Sequence, residues 1–397
     1  MKDEIIVEDF VDNGVIELEE KMHMPVLENL TIIPSEKQQV FKSKKDGYNE
    51  IKVLGEENLK SENIVAGKSI FGINGKAETL DEDIIDTFVT IADDSKNNVI
   101  IKFPKNVENI RPYLCYYHPS LTSVIIPDNI KNIGQNTFAN CNNLTNINIE
   151  ANVIDIPNSF AYQCSKLKNV YMPDSIQTIG SSAFTRGYEL ELTKLPENLI
   201  SIGADAFRTC RKIKISSLPK NLTVLGSSCF TGCSELAITE IPEGVNIIPY
   251  SCFNECRKMP LKKLPINLQS IEDYGFADCE KIIFLTVPKG ITHIKKYAFG
   301  GNRGLKQIIF EGNITQVDTS SFVFTQALQA LVFRNITQVP ILSDISAFQY
   351  GTTIAAGTGY IYVPDNLVEE FKIATNWNVY ANSIKPISEW EDISNDN

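Results

Sequence analysis

The sequence predicts a repeat solenoid of about eleven stacked 23-residue units, with a small β-rich module before it and a strand and a helix closing its end. Three observations lead to this fold class: a proline that recurs every 23 residues, apolar columns in register with it, and a Phe eleven residues after it. The clearest prolines lie at positions 173, 196, 219, 242, 265 and 288. A fixed period of this length is the sequence signature of a stacked repeat architecture.

Each repeat is predicted to begin with a strand that ends at the proline. In "IKISSLP" (213–219), the residues one, four and six before the proline are apolar, and those three and five before it are polar. This alternation predicts a half-buried strand. Proline closes the strand, because its missing N–H costs least there.

The second half of each repeat reads "x-x-[LIV]-x-x-I-G" and then reaches the Phe. The glycines at 134, 180, 203 and 226 are predicted to lie in a turn with positive φ. The Phe is predicted to enter the core from a short helical or 3₁₀ turn. One unit cannot bury its own apolar face, whereas stacked units can. The strands are therefore expected to be parallel, at about 4.8 Å per repeat, in a solenoid of roughly 50 Å.

These columns resemble the BspA-like leucine-rich repeat family, whose units read "L-x-x-I-x-[IL]-P-x-x-[IV]-x-x-I-G-x-x-A-F-x-x-C". The segment "IPDNIKNIGQNTFANCNNLTNI" (126–147) is similar almost position by position, and the resemblance covers roughly residues 85–350. Pro249, Glu272, Gly187 and Asn302 depart from the pattern. The resemblance implies a right-handed solenoid that is used for binding and has no enzymatic activity and no cofactor.

The region before the repeats has a different composition. Glycines and "GY" (47–48) mark turns between short strands, which predicts a small β-rich module at 29–80 after an acidic arm at 1–28. Residues 29–77 also resemble a short motif of bacteriophage and prophage tail or baseplate-associated proteins. The matching residues are Pro34, Gln38 or Gln39, Gly47, Tyr48, Glu62, Asn63, Ile64, Gly67, Ile70, Gly72 and Gly75.

The solenoid is predicted to span residues 81–350 and to be followed by a cap and tail at 351–397. "YIYVP" (360–364) predicts a last strand, and "DNLVEEFKIATNW" (365–377) predicts an amphipathic helix with Asp365 as its N-cap. Leu367, Phe371 and Trp377 are expected to cover the exposed end of the core, because terminal repeats of a solenoid must be capped.

Charge and hydropathy exclude several functions. The formal net charge of -12 argues against nucleic acid or an anionic membrane as partner, because binding to phosphates needs clustered Lys and Arg. No apolar run approaches the roughly 20 residues of a spanning helix, so membrane insertion is not expected. The N-terminus has no pattern of a secretory signal peptide, which predicts production in the cytoplasm.

The 9 Cys lie between Cys115 and Cys279, and they admit three interpretations: metal site, disulfide ladder or buried column. A structural zinc site needs four converging ligands. Disulfides between stacked Cys satisfy the Cα distance, but the side chains point the same way, and the predicted compartment is reducing. Because the two C-x₃-C pairs at 229–233 and 252–256 fall into repeat columns, the pattern favours small, weakly polar buried residues.

No catalytic or metal site is predicted. The three His are far apart, with His118 in the Cys column and His293 between two apolar positions, and no nucleophile-elbow, zinc-protease or phosphate-loop motif is present. A glycosidase needs two carboxyls facing each other across a cleft of about 5–9 Å. Pairs such as Glu189 and Glu191 lie on a continuous solenoid wall, so solvated surface charge is the favoured interpretation.

The sequence therefore predicts a non-enzymatic virion or prophage structural protein of the tail or baseplate. Its N-terminal module would bind other tail or baseplate proteins, and its solenoid a host surface protein, a glycan or another tail protein. The alternative is a BspA-like adhesin on the bacterial cell surface, which should carry a signal peptide or an anchor. The candidate binding face consists of outward strand residues: Glu191, Thr193, Lys214, Ser216, Thr239 and Lys262.

Overall fold

The computed structural model describes residues 103 and 107–395, and before them only the backbone of nine short strands. The chain divides into two compact units, residues 1–90 and 91–397. The predicted acidic arm and the phage-like motif of 29–77 otherwise lie outside the described residues. The domain boundaries given above therefore stay predictions.

The first unit contains seven strands among its described segments. β1 pairs with β3 and β2 with β4 in parallel, whereas β4 with β5 and β6 with β7 are antiparallel. The bounds are β1 Ile5–Val7, β2 Val15–Leu18, β3 Leu30–Ile32, β4 Gln39–Ser43, β5 Ile51–Val53, β6 Ser69–Ile70 and β7 Ile73–Asn74.

The second unit is a solenoid in which each 23-residue turn, here called a rung, adds a strand segment to one or both of two parallel columns. The first column contains β9 Asn98–Lys102, β11 Leu121–Ile126, β13 Asn146–Ile149, β15 Asn169–Tyr171, β21 Phe284–Val287, β23 Gln307–Phe310, β25 Ala330–Phe333, β27 Tyr360–Val363 and β28 Ile384–Pro386. β8 Thr90–Asp94 lies next to β9 at the end of the first sheet, and it precedes β9 by less than one repeat. The predicted solenoid is confirmed, and equivalent residues pair one repeat apart, as Ile147 with Val170.

The second column consists of two-residue strands behind the proline. It contains β10 Asn109–Ile110, β12 Asn132–Ile133, β14 Asp155–Ile156, β16 Thr178–Ile179, β17 Ser201–Ile202, β18 Val224–Leu225, β19 Ile247–Ile248, β20 Ser270–Ile271, β22 His293–Ile294, β24 Gln316–Val317 and β26 Ile341–Leu342. The buried member of most of these strands is the apolar residue six positions after the proline.

The first column is interrupted in the middle of the solenoid. One sheet has the order β15-β13-β11-β9-β8 and the other β21-β23-β25-β27-β28, and only one isolated bridge, Glu240 with Lys263, lies between them. The prediction of a strand in every repeat is therefore wrong for four rungs, here called the middle rungs, at 190–264. Flanking rungs such as "LTNINIE" (144–150) bury the residues six, three and one before the proline position, whereas "IKISSLP" (213–219) buries those six, four and one before it.

The Phe of most rungs is presented by consecutive turns and not by the predicted helical or 3₁₀ segment, whereas Phe348 of the last rung lies in a 3₁₀ turn, Ile345–Phe348. The residues two before and two after it are left-handed, as Ser228 (φ 56°) and Gly232 (φ 74°) around Phe230. Backbone bonds of the i to i−3 type close both turns, from Thr231 N to Ser228 O and from Cys233 N to Phe230 O.

The predicted role of the glycine column is also wrong. Gly134, Gly180, Gly203 and Gly226 do not have positive φ. A Cβ on Gly226 would lie 2.3 Å from Ala204 N of the preceding rung. These glycines are thus needed because two backbones approach each other closely, and not for a left-handed turn.

The core is a column of stacked Phe rings. From Phe184 to Phe348, neighbouring rings lie 5.3–6.1 Å apart and within 16° of parallel. Phe138, Phe160 and Phe184 instead meet edge to face, where the repeat length departs from 23 by one residue. The stack continues through the middle rungs without a break.

The predicted cap is confirmed in its core contacts. Phe371 and Trp377 are fully buried, and their rings contact Phe333. Trp377 Nε1 donates to Pro340 O at 2.7 Å, which satisfies the one polar group of the buried indole.

The cap helix is shorter than the sequence predicts. α1 spans Val368–Ile373, followed by a 3₁₀ segment at Trp377–Ser383. Asp365 does not cap α1, because it opens a 3₁₀ turn at Asp365–Leu367 and accepts from Ser388 N at 3.1 Å. Further 3₁₀ turns lie at Ile345–Phe348, Ile387–Glu389 and Ile393–Asn395. Among the helices in the described part of the chain, none has the length and apolar character of a membrane span.

Candidate functional site

The outward side of the first strand column, here called the strand face, is covered at one end by the chain itself. The tail, residues 387–394, lies against β23 and β25, where Ile387 and Trp390 pack on Ile309, Ala330 and Val332. Gln307, only 1% exposed, fixes the tail by accepting from Trp390 Nε1 at 3.1 Å and donating to Asp392 Oδ1 at 2.7 Å. The strand face is therefore closed over these two strands.

The strand face is open over the middle rungs. All six candidate residues of the sequence-predicted binding face are exposed there: Glu191, Thr193, Lys214, Ser216, Thr239 and Lys262. Glu191 lies 3.6 Å from Lys168 Nζ of the preceding rung, in an exposed ion pair. That these six residues bind a partner stays a prediction.

A small hollow lies where the first sheet ends. It encloses about 270 Å³ and is lined by residues 169–174 and 191–196, so it includes the candidates Glu191 and Thr193. At the start of these two segments, Glu191 N donates to Lys168 O at 2.9 Å. No backbone hydrogen bond joins residues 192–196 to residues 169–174. Tyr171, at 65% exposed, stands on its wall.

A large hollow lies where the second sheet begins. It encloses about 620 Å³ and includes the candidate Lys262. Its lining consists of residues 260–262, 281, 283–286, 306, 307, 309, 392 and 394, so the tail forms one wall. No backbone hydrogen bond joins residues 283–287 to residues 259–264. Each hollow therefore lies between two neighbouring rungs that differ in the position of the buried apolar residue before the proline.

The large hollow is positively charged. Lys262, Lys281 and Lys306 line it, and none of them forms an ion pair with a described carboxylate. The carboxylate of Asp392 also lines it, but it accepts hydrogen bonds from Ser394 and from Gln307, and these bonds hold its pKa below the usual range. On a chain with a net charge of -12, this is a local reversal of sign.

The cysteine column is a column of hydrogen-bond donors. All nine thiols of the chain are free and buried. Six of them form this column and donate to a carbonyl of the preceding rung, as Sγ of Cys233 does to Phe207 O at 3.1 Å. Asn302 occupies the same column and donates to Phe276 O at 3.0 Å. Burial raises the pKa of the Cys141 thiol to about 11 and that of the Cys210 thiol to about 12, so these two thiols are unreactive at neutral pH.

The described residues hold no group of three or more His, Cys, Asp or Glu that converges on a metal position. Sγ of Cys229 and Sγ of Cys252 lie 3.5 Å apart, side by side across two rungs. Burial lowers the pKa of His118, which has an unpaired, buried Nδ1.

A polar network on the second column joins His293, Asp318 and Ser343. His293 Nε2 lies 2.8 Å from Asp318 Oδ2, and Ser343 Oγ donates to Asp318 Oδ1 at 2.9 Å. In a catalytic triad the serine must bond the histidine, and here it bonds the carboxylate instead. This arrangement ties three rungs together and does not activate a nucleophile.

The family is decided by the repeat pattern. The family model for the BspA type leucine rich repeat region matches residues 108–237 and 236–354, in six copies. These ranges make up more than half of the 397 residues. The chain belongs to the BspA-type leucine-rich repeat family. The BspA-type fold is typically a binding scaffold without enzymatic activity, and leucine-rich repeat proteins generally bind other proteins.

Several solved structures are similar to this BspA-type chain. A leucine rich cell surface protein from Faecalibacterium prausnitzii A2-165 is 20% identical with a TM-score of 0.39, covering 73% of this chain and 94% of that one. A T. pallidum leucine rich repeat protein is 24% identical with a TM-score of 0.34, covering 47% and 78%. A leucine-rich repeat protein from Bacteroides ovatus ATCC 8483 is 17% identical with a TM-score of 0.36, covering 77% and 100%. No curated protein matches the chain.

Several residues of the candidate site were not predicted from the sequence. Lys281, Lys306 and the tail lie at the large hollow, but no predicted column contains them. The signal that would have located the hollows is the shift of the buried position from three to four residues before the proline, which begins at Leu192 and ends after Leu261.

Proposed function

We propose that the chain is a non-enzymatic binding protein that holds a partner protein on the strand face of the middle rungs, between the two hollows. One observation supports this above all: the outward residues there are exposed and flanked by two depressions, whereas those of β23 and β25 lie under the tail. A hollow with an apolar lining and a few convergent polar groups has the usual character of a recognition site.

The location at which the protein binds this partner is a separate proposal. Attachment to a phage tail or baseplate through the N-terminal module rests on the resemblance of residues 29–77, and neither the family match nor the described structure supports it. Display on a bacterial surface is the second possibility, in keeping with the type of repeat. Immunogold labelling of purified phage particles and of intact cells separates the two, because only one of them should carry the label.

Binding by the strand face is tested with a variant that carries Lys214→Glu, Ser216→Glu and Thr239→Glu. The control, matched in number and in change of charge, carries Lys220→Glu, Asn221→Glu and Asn267→Glu, which are exposed positions just after the prolines. We expect adsorption to intact bacterial cells, measured by flow cytometry of the fluorescent protein, to fall at least tenfold for the first variant only. Equal adsorption of the first variant and the wild type would exclude this face.

A further inference from the structure

The large hollow has features that fit one kind of ligand. We propose that it binds an extended peptide segment of a partner protein that carries acidic side chains at alternate positions. The segment would lie along β21, with its carboxylates on Lys262, Lys281 and Lys306. This inference rests on the proposed binding function and names the chemistry of the partner.

The first argument is a free strand edge. β21 is the outer strand of its sheet and pairs only with β23. Since no backbone bond joins residues 283–287 to residues 259–264, the edge of β21 opens into the hollow. An unpaired strand edge is a template for a further strand, and main-chain hydrogen bonds then supply much of the affinity.

The second argument is charge. The hollow presents three ammonium groups and one carboxylate, and that carboxylate is already held by Gln307 and Ser394. None of these three lysines has a carboxylate within ion-pair distance among the described residues. An acidic ligand complements them, and a basic ligand would be repelled.

The third argument is the floor of the hollow. Leu261, Leu285 and Ile309 are apolar and buried beneath it, and Ile283 is 41% exposed on its wall. Successive side chains of a strand point to opposite faces, so a segment of alternating acidic and apolar residues meets lysines on one side and this floor on the other. A small anion would leave both the floor and the edge unused.

The chain itself supplies a parallel case. The tail contains Glu389, Glu391 and Asp392, and it already lies on the strand face next to the hollow, where Trp390 packs on apolar strand residues. An acidic segment with an apolar anchor is thus compatible with this face. The hollow continues the same surface beyond Ser394.

The test uses the full chain and a capped peptide that carries a fluorophore, fluorescein-Gly-Glu-Val-Glu-Leu-Glu-Gly-amide, whose binding is followed by fluorescence anisotropy. We expect binding that weakens with salt and falls at least tenfold when Lys262, Lys281 and Lys306 are all changed to Gln. The control variant changes Lys220, Lys289 and Lys296 to Gln, and it should bind like the wild type, with circular dichroism confirming the fold of both. A peptide with Lys in place of Glu should not bind.

Pairing with β21 is tested by methylating alternate backbone amides of the same peptide, which should weaken binding at least tenfold. Equal binding of the methylated peptide, or loss of lysine dependence, would overturn the inference. Binding of a sulfated oligosaccharide by the same lysines without binding of the peptide would overturn it too. If the peptide fails but the Lys214 variant still abolishes adsorption to cells, only this inference falls; if neither experiment shows an effect, the proposed function falls as well.

Discussion

The middle rungs and the flanking rungs are built from the same 23-residue unit on the same Phe stack, but only the flanking rungs form a strand ladder in the first column. The two differ in one apolar position, which lies four residues before the proline in the middle and three before it on either side. A shift of one residue turns a side chain to the opposite face of a strand. The core therefore imposes a different backbone path on the middle rungs.

Neighbouring rungs are held together by different interactions in the two regions. In the flanking rungs, neighbours are joined by both ring stacking and backbone pairing. In the middle rungs, the first column is reduced to single backbone bonds, such as those from Lys214 N to Leu192 O and from Lys262 N to Thr239 O, and neighbours depend more on the Phe stack and the thiol column. The second strand column is also interrupted there, between β18 and β19 and between β20 and β22. The loss of pairing also leaves two strand edges uncovered, and these are the places where the hollows lie.

The largest effect is expected when the shared stack is broken in the middle. Phe230→Ala removes a fully buried ring that stacks on Phe207 at 5.5 Å and on Phe253 at 5.7 Å. We expect a loss of about 3–5 kcal/mol in the free energy of unfolding. Because repeat stability depends on nearest neighbours, urea unfolding should then split into two transitions. Phe322→Ala, in a laddered rung, should keep a single transition; identical profiles would contradict the comparison.

The second prediction restores the flanking pattern in one middle rung. Exchanging two neighbours, Leu192→Thr with Thr193→Leu, moves the apolar residue to three positions before Pro196. We expect the rung to pair with β15, so that the amides of 192–195 exchange more slowly by hydrogen–deuterium exchange. Stability should change by less than about 1 kcal/mol, because the buried volume is kept.

The matched control is the same exchange in an inner rung, Ile215→Ser with Ser216→Ile. This rung has no neighbouring ladder to join, so the exchange buries a hydroxyl and exposes Ile at a cost of about 2 kcal/mol or more. If both exchanges cost the same, the spacing of the apolar residues does not decide where the ladder stops.

A smaller effect is expected in the donor column. Asn302 satisfies the carbonyls of Phe276 and Phe299, but its own Oδ1 is buried without a partner. Asn302→Ala should cost about 1–3 kcal/mol, because a buried carbonyl loses its donor. Asn302→Cys should recover most of this loss, as in the neighbouring rungs. Thermal unfolding of the three proteins measures the order; a cysteine variant no better than alanine would show that the column needs only small size.

The smallest effect concerns a charged pair in the glycine column. Partial burial disfavours ionisation of Glu272, but hydrogen bonds from Lys295 and Ser270 outweigh it and lower the pKa of the carboxyl. Its contribution is therefore present above the ordinary pKa of Glu and is lost as the pH falls below it. Glu272→Gln should lower stability by less than about 1 kcal/mol at pH 7. The difference in Tm should shrink at pH 3; a constant difference would contradict this assignment.

The sequence was sufficient for the architecture because the fold depends on periodic burial. The Phe column, the column behind the proline and the apolar cap residues all follow from the 23-residue spacing. The conformation of the backbone between these columns could not be predicted from the spacing. Left-handed residues such as Ser228 and Asp205 carry no glycine signal, because stacked turns impose their conformation.

The site was harder to predict, for a related reason. Thr193 and Lys214 were placed on the outward face by alternation, and they are exposed. The large hollow depends on residues far apart in the chain, since Lys262, Lys306 and Asp392 meet only when the tail folds back. A contact between the last residues and a repeat some 85 positions earlier, as from Asp392 to Gln307, leaves no periodic signal.

The length of the interruption in the strand ladder sets the distance between the two hollows. The two hollows are separated by the four middle rungs, and each rung adds about 4.8 Å along the stack. Deleting or duplicating one complete middle unit would change the distance between the hollows by a fixed step and leave the lining of each hollow unchanged.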